Sequence, residues 1–186
     1  IDNFWYHGGV GWSDFNKIDI EQWYQLYSDA ILKYILMMVR DYQQAEDLTQ
    51  ETFVRAFQNY HSFEQRSQVK TWLFRIAHNV TVDYLRKKKP LRRIESFLYN
   101  KPDTKALPED VLDMKENAEE VYYALGKLKQ SYREVIILRK IKGFSVKETS
   151  GILSWSENKV KTTLHRAMYE FKNQLMKEGY SYEKTT

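Results

Sequence analysis

GFSVKETSGILSWSENKVKTTLHRAMYEF, residues 143–171, contains two helices of unequal length and the turn between them. Gly143 follows an apolar run that ends in Arg139, Lys140 and Lys142, the pattern of a left-handed helix stop with cations near the negative end of the dipole. Ser145 and Glu148 stand at capping-box spacing, so each side chain can satisfy one orphan backbone donor of the next helix. That helix is short, reaching Leu153 before Ser154-Trp155-Ser156 turns the chain, and Ser156 can cap the helix that follows. There Val160, Leu164, Ala167, Met168 and Phe171 recur at intervals of three and four and form an apolar stripe opposite Lys161, Thr162, His165 and Tyr169. A short helix, a tight turn and a longer helix with a cationic outer face predict a helix-turn-helix whose second helix lies in the DNA major groove. Lys161, Thr162, His165 and Arg166 bring donors and methyl groups suited to base edges, and Lys159, Thr163 and the outlying Lys147 are suited to phosphates. The same residue types clothe any solvated helix, so the pattern by itself leaves a plain exposed face open.

The same helical periodicity returns through most of the chain from about Ile18 onward. Its 186 residues suit one domain or two small ones, and 42% hydrophobic with 29% charged content is that of a globular protein. Glycine (7) and proline (3) are scarce and apolar residues return at helical spacing, so the fold class is all-α. The absence of cysteine excludes disulfides and thiolate metal sites. His7, His61, His78 and His165 show no i, i+4 pairing, so neither a metal nor another cofactor is expected. ILKYILMMV and IILRKI fall short of the roughly 20 apolar residues of a membrane helix, and the N-terminus lacks the blocks of a signal peptide, which places the protein in the cytoplasm.

The net charge of +4 says little about partners, but its distribution says more. Lys70 to Arg93 holds eight cations against one acid, and Arg139 to Lys177 holds nine against three. Ile94 to Glu120, between them, holds three cations against eight acids. That acidic segment contains Pro102 and Pro108 and follows Pro90, so residues 90–115 read as a flexible linker between two small helical domains.

Upstream of the linker, helical patterning begins near Ile18, with Trp23, Tyr24, Tyr27, Ile31, Tyr34, Ile35 and Met38 on one stripe. A second helix from about Gln44 to Gln58 buries Ala45, Leu48, Thr49, Thr52, Phe53, Ala56 and Phe57, and presents Asp47, Gln50, Glu51 and Val54 on its other side. In an otherwise basic chain that acidic face suits a protein partner, or is an ordinary solvated surface. A third helix from about Val69 to Lys88 packs Leu73, Ile76, Ala77, Val80 and Tyr84, with Arg75, His78, Asn79, Val82 and Arg86 on the face away from the core. Trp72 could stack on a base, but at the start of an amphipathic helix packing is the favoured reading. Beyond the linker, helices are expected over 118–128, 131–142, 146–153 and 157–177.

AEDLTQETFVRAF (45–57), KTWLFRIAHNVTVDYLRKKK (70–89), a linker, YREVIILRKIKGFSVKETSGIL (132–153) and KVKTTLHRAMYEFKNQL (159–175) together resemble bacterial RNA polymerase sigma factors of the compact extracytoplasmic-function type. The resemblance implies that residues 18–89 are sigma region 2 and residues 116–178 are region 4. Residues 1–17 have no family counterpart, and 179–186 form a tail. It implies that Asp47, Gln50, Glu51 and Val54 dock on the β′ coiled coil of core RNA polymerase, an assembly that includes the β subunit. It implies that the loop before the third helix, with that helix, captures an extruded base of the minus-ten element through Ser62, Phe63, Arg66, Lys70, Trp72, Arg75, Asn79, Arg86 and Lys87. The minus-thirty-five element would be read by Ser156, Asn158, Lys159, Lys161, Thr162, Thr163, His165 and Arg166. The implied protein binds promoter DNA, is held by an anti-sigma factor that is often membrane-bound, takes no small-molecule substrate and is not an enzyme. Ser150 stands where many relatives carry Ala, Gly151 beside it weakens its helix, and Thr163 and His165 are uncommon at their places, so promoter sequence does not transfer from relatives.

Overall fold

The computed structural model describes residues 14–63, 68–98 and 118–177, and among them all regular structure is helical. The first domain is α1 (Asp14–Val39), α2 (Tyr42–Gln58) and α3 (Val69–Leu98), with a single 3-10 turn at Tyr60–Ser62. α1 starts four residues before the expected Ile18, in a stretch where no glycine or proline interrupts residues 14–20. Arg40 breaks α1 from α2 in the left-handed region, with φ 63°. Asp41 then caps α2, its Oδ1 accepting the Gln44 amide at 3.1 Å.

α2 buries Ala45, Leu48, Thr49, Thr52, Phe53 and Ala56, the stripe expected from spacing, and Phe57 is half-buried. Its two buried threonines cost little, because Thr49 and Thr52 each donate a 2.7 Å hydrogen bond to the carbonyl four residues back. α3 continues through Pro90 to Leu98, where the sequence pattern predicts a linker from residue 90. The missing proline N–H removes one rung of a 30-residue ladder, and that loss does not end this helix.

The second domain is α4 (Ala118–Lys127), α5 (Gln130–Ile136), α6 (Val146–Leu153) and α7 (Glu157–Lys177). α5 widens into a π-helical turn over Ile137–Ile141, whose end is closed by Lys142 N–H to the Ile137 carbonyl at 2.8 Å and Phe144 N–H to the Leu138 carbonyl at 3.0 Å. Gly143 supplies the left-handed stop with φ 74°. Both halves of the capping box form: Glu148 N–H donates to Ser145 Oγ at 3.1 Å and Ser145 N–H to Glu148 Oε2 at 2.7 Å. Hydrogen bonding to its carboxylate from the Ser145 side chain first and the Ser145 amide second holds the Glu148 carboxyl below the ordinary carboxylate range.

The two domains share one continuous core. Phe74 of α3 meets Phe144 edge-to-face at 4.8 Å, and α1 touches α2 and α3 from one domain and α4 and α5 from the other. The turns Tyr34–Val39 of α1 are therefore buried on every side. His78, expected on the outward face of α3, is only 9% exposed, with Nε2 3.7 Å from Glu134. The outward reading fails at this residue because Glu134 of α5 lies against it, whereas Arg75, Asn79 and Arg86 of the same face are exposed. Glu134 is itself 4% exposed and accepts a 2.8 Å hydrogen bond from Gln130 Nε2. Tyr34 lies in the same seam, where burial first and the Glu134 charge second raise its hydroxyl well above its ordinary pKa.

Candidate nucleic-acid interface

The turn between α6 and α7 is built by residues that the sequence pattern undervalues. Ser154 adopts a left-handed conformation with φ 54°. Ser150 Oγ donates to the Trp155 carbonyl at 2.5 Å, and the Trp155 amide returns to the Ser150 carbonyl at 3.1 Å. Serine in place of alanine thus ties the end of α6 to the residue that launches α7. Ser156 caps α7 by accepting the Lys159 amide at 3.2 Å, and Lys159 Nζ stands 4.3 Å over the Trp155 ring.

On α7, Val160 and Ala167 are buried, while Lys161, Thr162, His165 and Arg166 are exposed together with Ser156, Asn158 and Lys159. Thr163 is half-buried. The Thr162 hydroxyl donates to the Asn158 carbonyl at 2.9 Å. One part of the stripe behaves differently from expectation: Leu164, Met168 and Phe171 are half-buried and line an open groove whose rim carries Arg139, Lys140, Lys161 and Lys172. Spacing alone assigns those apolar residues to a core and cannot show that the neighbouring helix stops short of covering them.

In the first domain Asp47, Gln50 and Glu51 are exposed on α2, with Val54 half-buried beside them. Glu51 binds Arg55 at 2.6 Å, Arg55 approaches Asp83 at 4.0 Å, and Asp83 binds Arg86 at 3.0 Å, a surface chain of charges from α2 to α3. Along α3, Arg75, Asn79, Arg86 and Lys87 are exposed. Trp72 is packed at one end of an aromatic cluster, 5.0 Å from Phe63 and 6.0 Å from Trp23, which also stacks on Tyr60 at 5.6 Å. Ser62 lies in the 3-10 turn, and Arg66 lies outside the described residues. Lys70 does not join the exposed face of α3: its ammonium sits 4.9 Å over the Phe144 ring of the second domain. Nearby Lys142 is lowered to about 8, first by burial and then by the charges of Lys33 and Lys70, with Asp29 opposing. Among the described residues no helix is long and apolar enough to cross a membrane.

Two family models match the chain, Sigma-70 region 2 over residues 23–90 and Sigma-70, region 4 over residues 118–170. The ECF RNA polymerase sigma factor SigX of Bacillus subtilis (strain 168) is 40% identical over 150 residues, which are 78% of this chain and 77% of that protein. SigW of the same organism, also an ECF RNA polymerase sigma factor, is 34% identical over 159 residues, 81% of this chain and 85% of the relative. Among solved structures, the sigma factor RpoE in complex with the anti-sigma factor NepR from Bartonella quintana has a TM-score of 0.72 at 25% identity, covering 85% of this chain and 97% of that one. CnrH, solved with the cytosolic domain of CnrY, shares the fold with a TM-score of 0.66 at 23% identity, covering 90% of this chain and 93% of that one. The ordered pair of domains defines the class, a sigma-70-type factor of promoter-specific transcription initiation. Within that class, the chain belongs to the ECF RNA polymerase sigma factors. Members of this family are initiation factors rather than catalysts.

Proposed function

We propose that this chain docks on core RNA polymerase through Asp47, Gln50, Glu51 and Val54, reads a minus-thirty-five element with α7, and captures and opens the minus-ten element with α3 and the loop before it. The observation that carries the reading is the pair of chemically opposite exposed faces: acids and amides on α2, and Lys161, Thr162, His165 and Arg166 on α7. An acidic face repels the DNA backbone and suits a protein, whereas the α7 face offers donors for base edges beside cations for phosphates. Extruding a base costs a few kcal/mol, which contacts available only to the opened strand offset. An anti-sigma partner is part of the proposal; it is supported by the likeness to RpoE, solved with the anti-sigma factor NepR.

Run-off transcription with core polymerase on a promoter library tests the division of labour. Lys161→Ala changes or weakens promoter choice and leaves polymerase association intact. Asp47→Ala weakens polymerase association and leaves promoter preference among the remaining transcripts unchanged. A Lys161→Ala protein with unaltered promoter choice and undiminished output removes α7 from the reading.

A further inference from the structure

Thr49, Thr52 and Thr81 keep their hydroxyls within their own helices, each donating at 2.7 Å to the carbonyl four residues back. Ser150 does the opposite: its Oγ reaches forward out of α6 to the Trp155 carbonyl at 2.5 Å, on the far side of the turn. The amides of Ser154 and Trp155 both return to the Ser150 carbonyl, the latter at 3.1 Å. These bonds enclose Ser154, whose φ of 54° and ψ of 41° form a left-handed conformation that a side chain disfavours. Ser150 therefore grips the backbone of Trp155 twice, its carbonyl through a hydroxyl and its amide through a carbonyl.

Trp155 immediately precedes the cap residue Ser156, from which α7 departs. Packing alone does not fix the pose of α7. Its apolar face is closed at Val160, Ala167 and Leu175, whereas Leu164, Met168 and Phe171 border the open groove. At about 1.5 Å per residue, His165 stands roughly 15 Å along the helix from Trp155. A swing of about 10° at the turn would carry it roughly 2.6 Å, beyond the tolerance of a hydrogen bond. Trp155 also carries Lys159, whose ammonium lies 4.3 Å over its ring.

We propose that Ser150 is a positioning residue for the minus-thirty-five element: by holding the Trp155 carbonyl, its hydroxyl sets the pose in which α7 presents Lys161, Thr162, His165 and Arg166, and so sets which bases are preferred. The proposal rests on the reading of α7 given above and adds a specificity determinant that lies outside the base-facing residues themselves.

Run-off transcription with the polymerase holoenzyme tests it on two promoter libraries, one randomised at the minus-thirty-five element and one at the minus-ten element. Ser150→Ala should compress the preference for the best minus-thirty-five sequence over its single-base variants roughly two- to tenfold, the range of one lost hydrogen bond, and leave the minus-ten ranking as it was. Ser150→Thr keeps a hydroxyl on the same carbon and should return the preference toward that of the unsubstituted chain. Gly151→Ala separates positioning from stability: the site is exposed with open space around a Cβ, so alanine there strengthens α6 without touching the turn. The double variant Ser150→Ala/Gly151→Ala should melt higher than Ser150→Ala alone and keep the compressed preference.

An unchanged minus-thirty-five ranking in Ser150→Ala overturns the proposal, as does a change of equal size in both libraries. It is equally overturned if the double variant recovers the preference along with the melting temperature, or if the threonine variant is as altered as the alanine one. Lys161→Ala in the same libraries distinguishes this proposal from the reading beneath it. If Lys161→Ala changes the minus-thirty-five choice and Ser150→Ala does not, only the positioning role falls; if Lys161→Ala changes nothing, α7 does not read the element and both fall.

Discussion

Replacing Lys142 by methionine should stabilise the protein at neutral pH and flatten its stability between pH 8 and 10. Burial beside Lys33 and Lys70 lowers this ammonium from 10.5 to about 8, against the opposing charge of Asp29. Below pH 8 it is charged in both the folded and unfolded chains, and the folded state carries the whole desolvation cost. Between pH 8 and 10.5 the folded chain has released the proton that the unfolded chain retains, so stability rises with pH across that window and levels off above it. At about 1.4 kcal/mol for each tenfold change in proton affinity, the full cost is on the order of 3 kcal/mol. Methionine matches the length of the stem and removes this cost. It also gives up the cation's contact with the helix C-terminus, worth about 0.3–1 kcal/mol, so the net gain near pH 7.5 is about 2 kcal/mol. Urea unfolding of both proteins at pH 7.5 and 9.5 provides the assay: the unsubstituted chain gains stability between the two pH values and Lys142→Met does not. A pH-independent stability in the unsubstituted chain, or a methionine variant that is less stable at pH 7.5, refutes the argument. Above pH 10 the buried hydroxyls of Tyr34 and Tyr122, both raised chiefly by burial, act in the opposite direction, because the unfolded chain then ionises tyrosines that the folded chain keeps neutral.

Gly151→Ala should raise stability by up to about 1 kcal/mol, since the position is exposed in α6 with open space around a Cβ, and thermal melting reads the change. Ser145→Ala should cost about 1 kcal/mol by removing half of the capping box, again seen by melting at pH 7. In the unsubstituted chain the stabilisation tied to the low Glu148 pKa is complete above pH 4.5 and fades as pH falls below it, because the carboxylate must then take a proton and weaken its bonds to Ser145; Ser145→Ala should show a shallower acid slope. Lys159→Met should lower promoter affinity uniformly across sequences and reduce the magnitude of the salt slope of binding by about one, measured with the polymerase holoenzyme.

The helices and their ends were legible because local chemistry writes them. Gly143, the Ser145–Glu148 pair and Ser156 each act within four residues, so their roles follow from spacing and the structure realises all three. The buried face of α2 was legible for the same reason. The seam was not, because His78 is polar and its covering partner Glu134 lies in the other domain, where no periodicity connects the two. A trace did exist in ILKYILMMV: an apolar run too full for one stripe marks a helix packed on more than one side. The burial of Lys142, read from sequence only as a cation at a helix end, was not legible because a lysine there is ordinarily solvated. The groove beside α7 escaped because spacing shows which residues share a face and not whether another helix reaches far enough to close it.

The crowded end of α1 also determines what happens when the halves come apart. Leu36, Met37, Val39 and Phe74 are out of water in the closed protein, and with α4, α5 and Phe144 withdrawn, part of that oily strip meets solvent. A fragment cut at the linker would inherit the strip as a permanent sticky edge, so the first domain prepared alone should self-associate more readily than the intact chain.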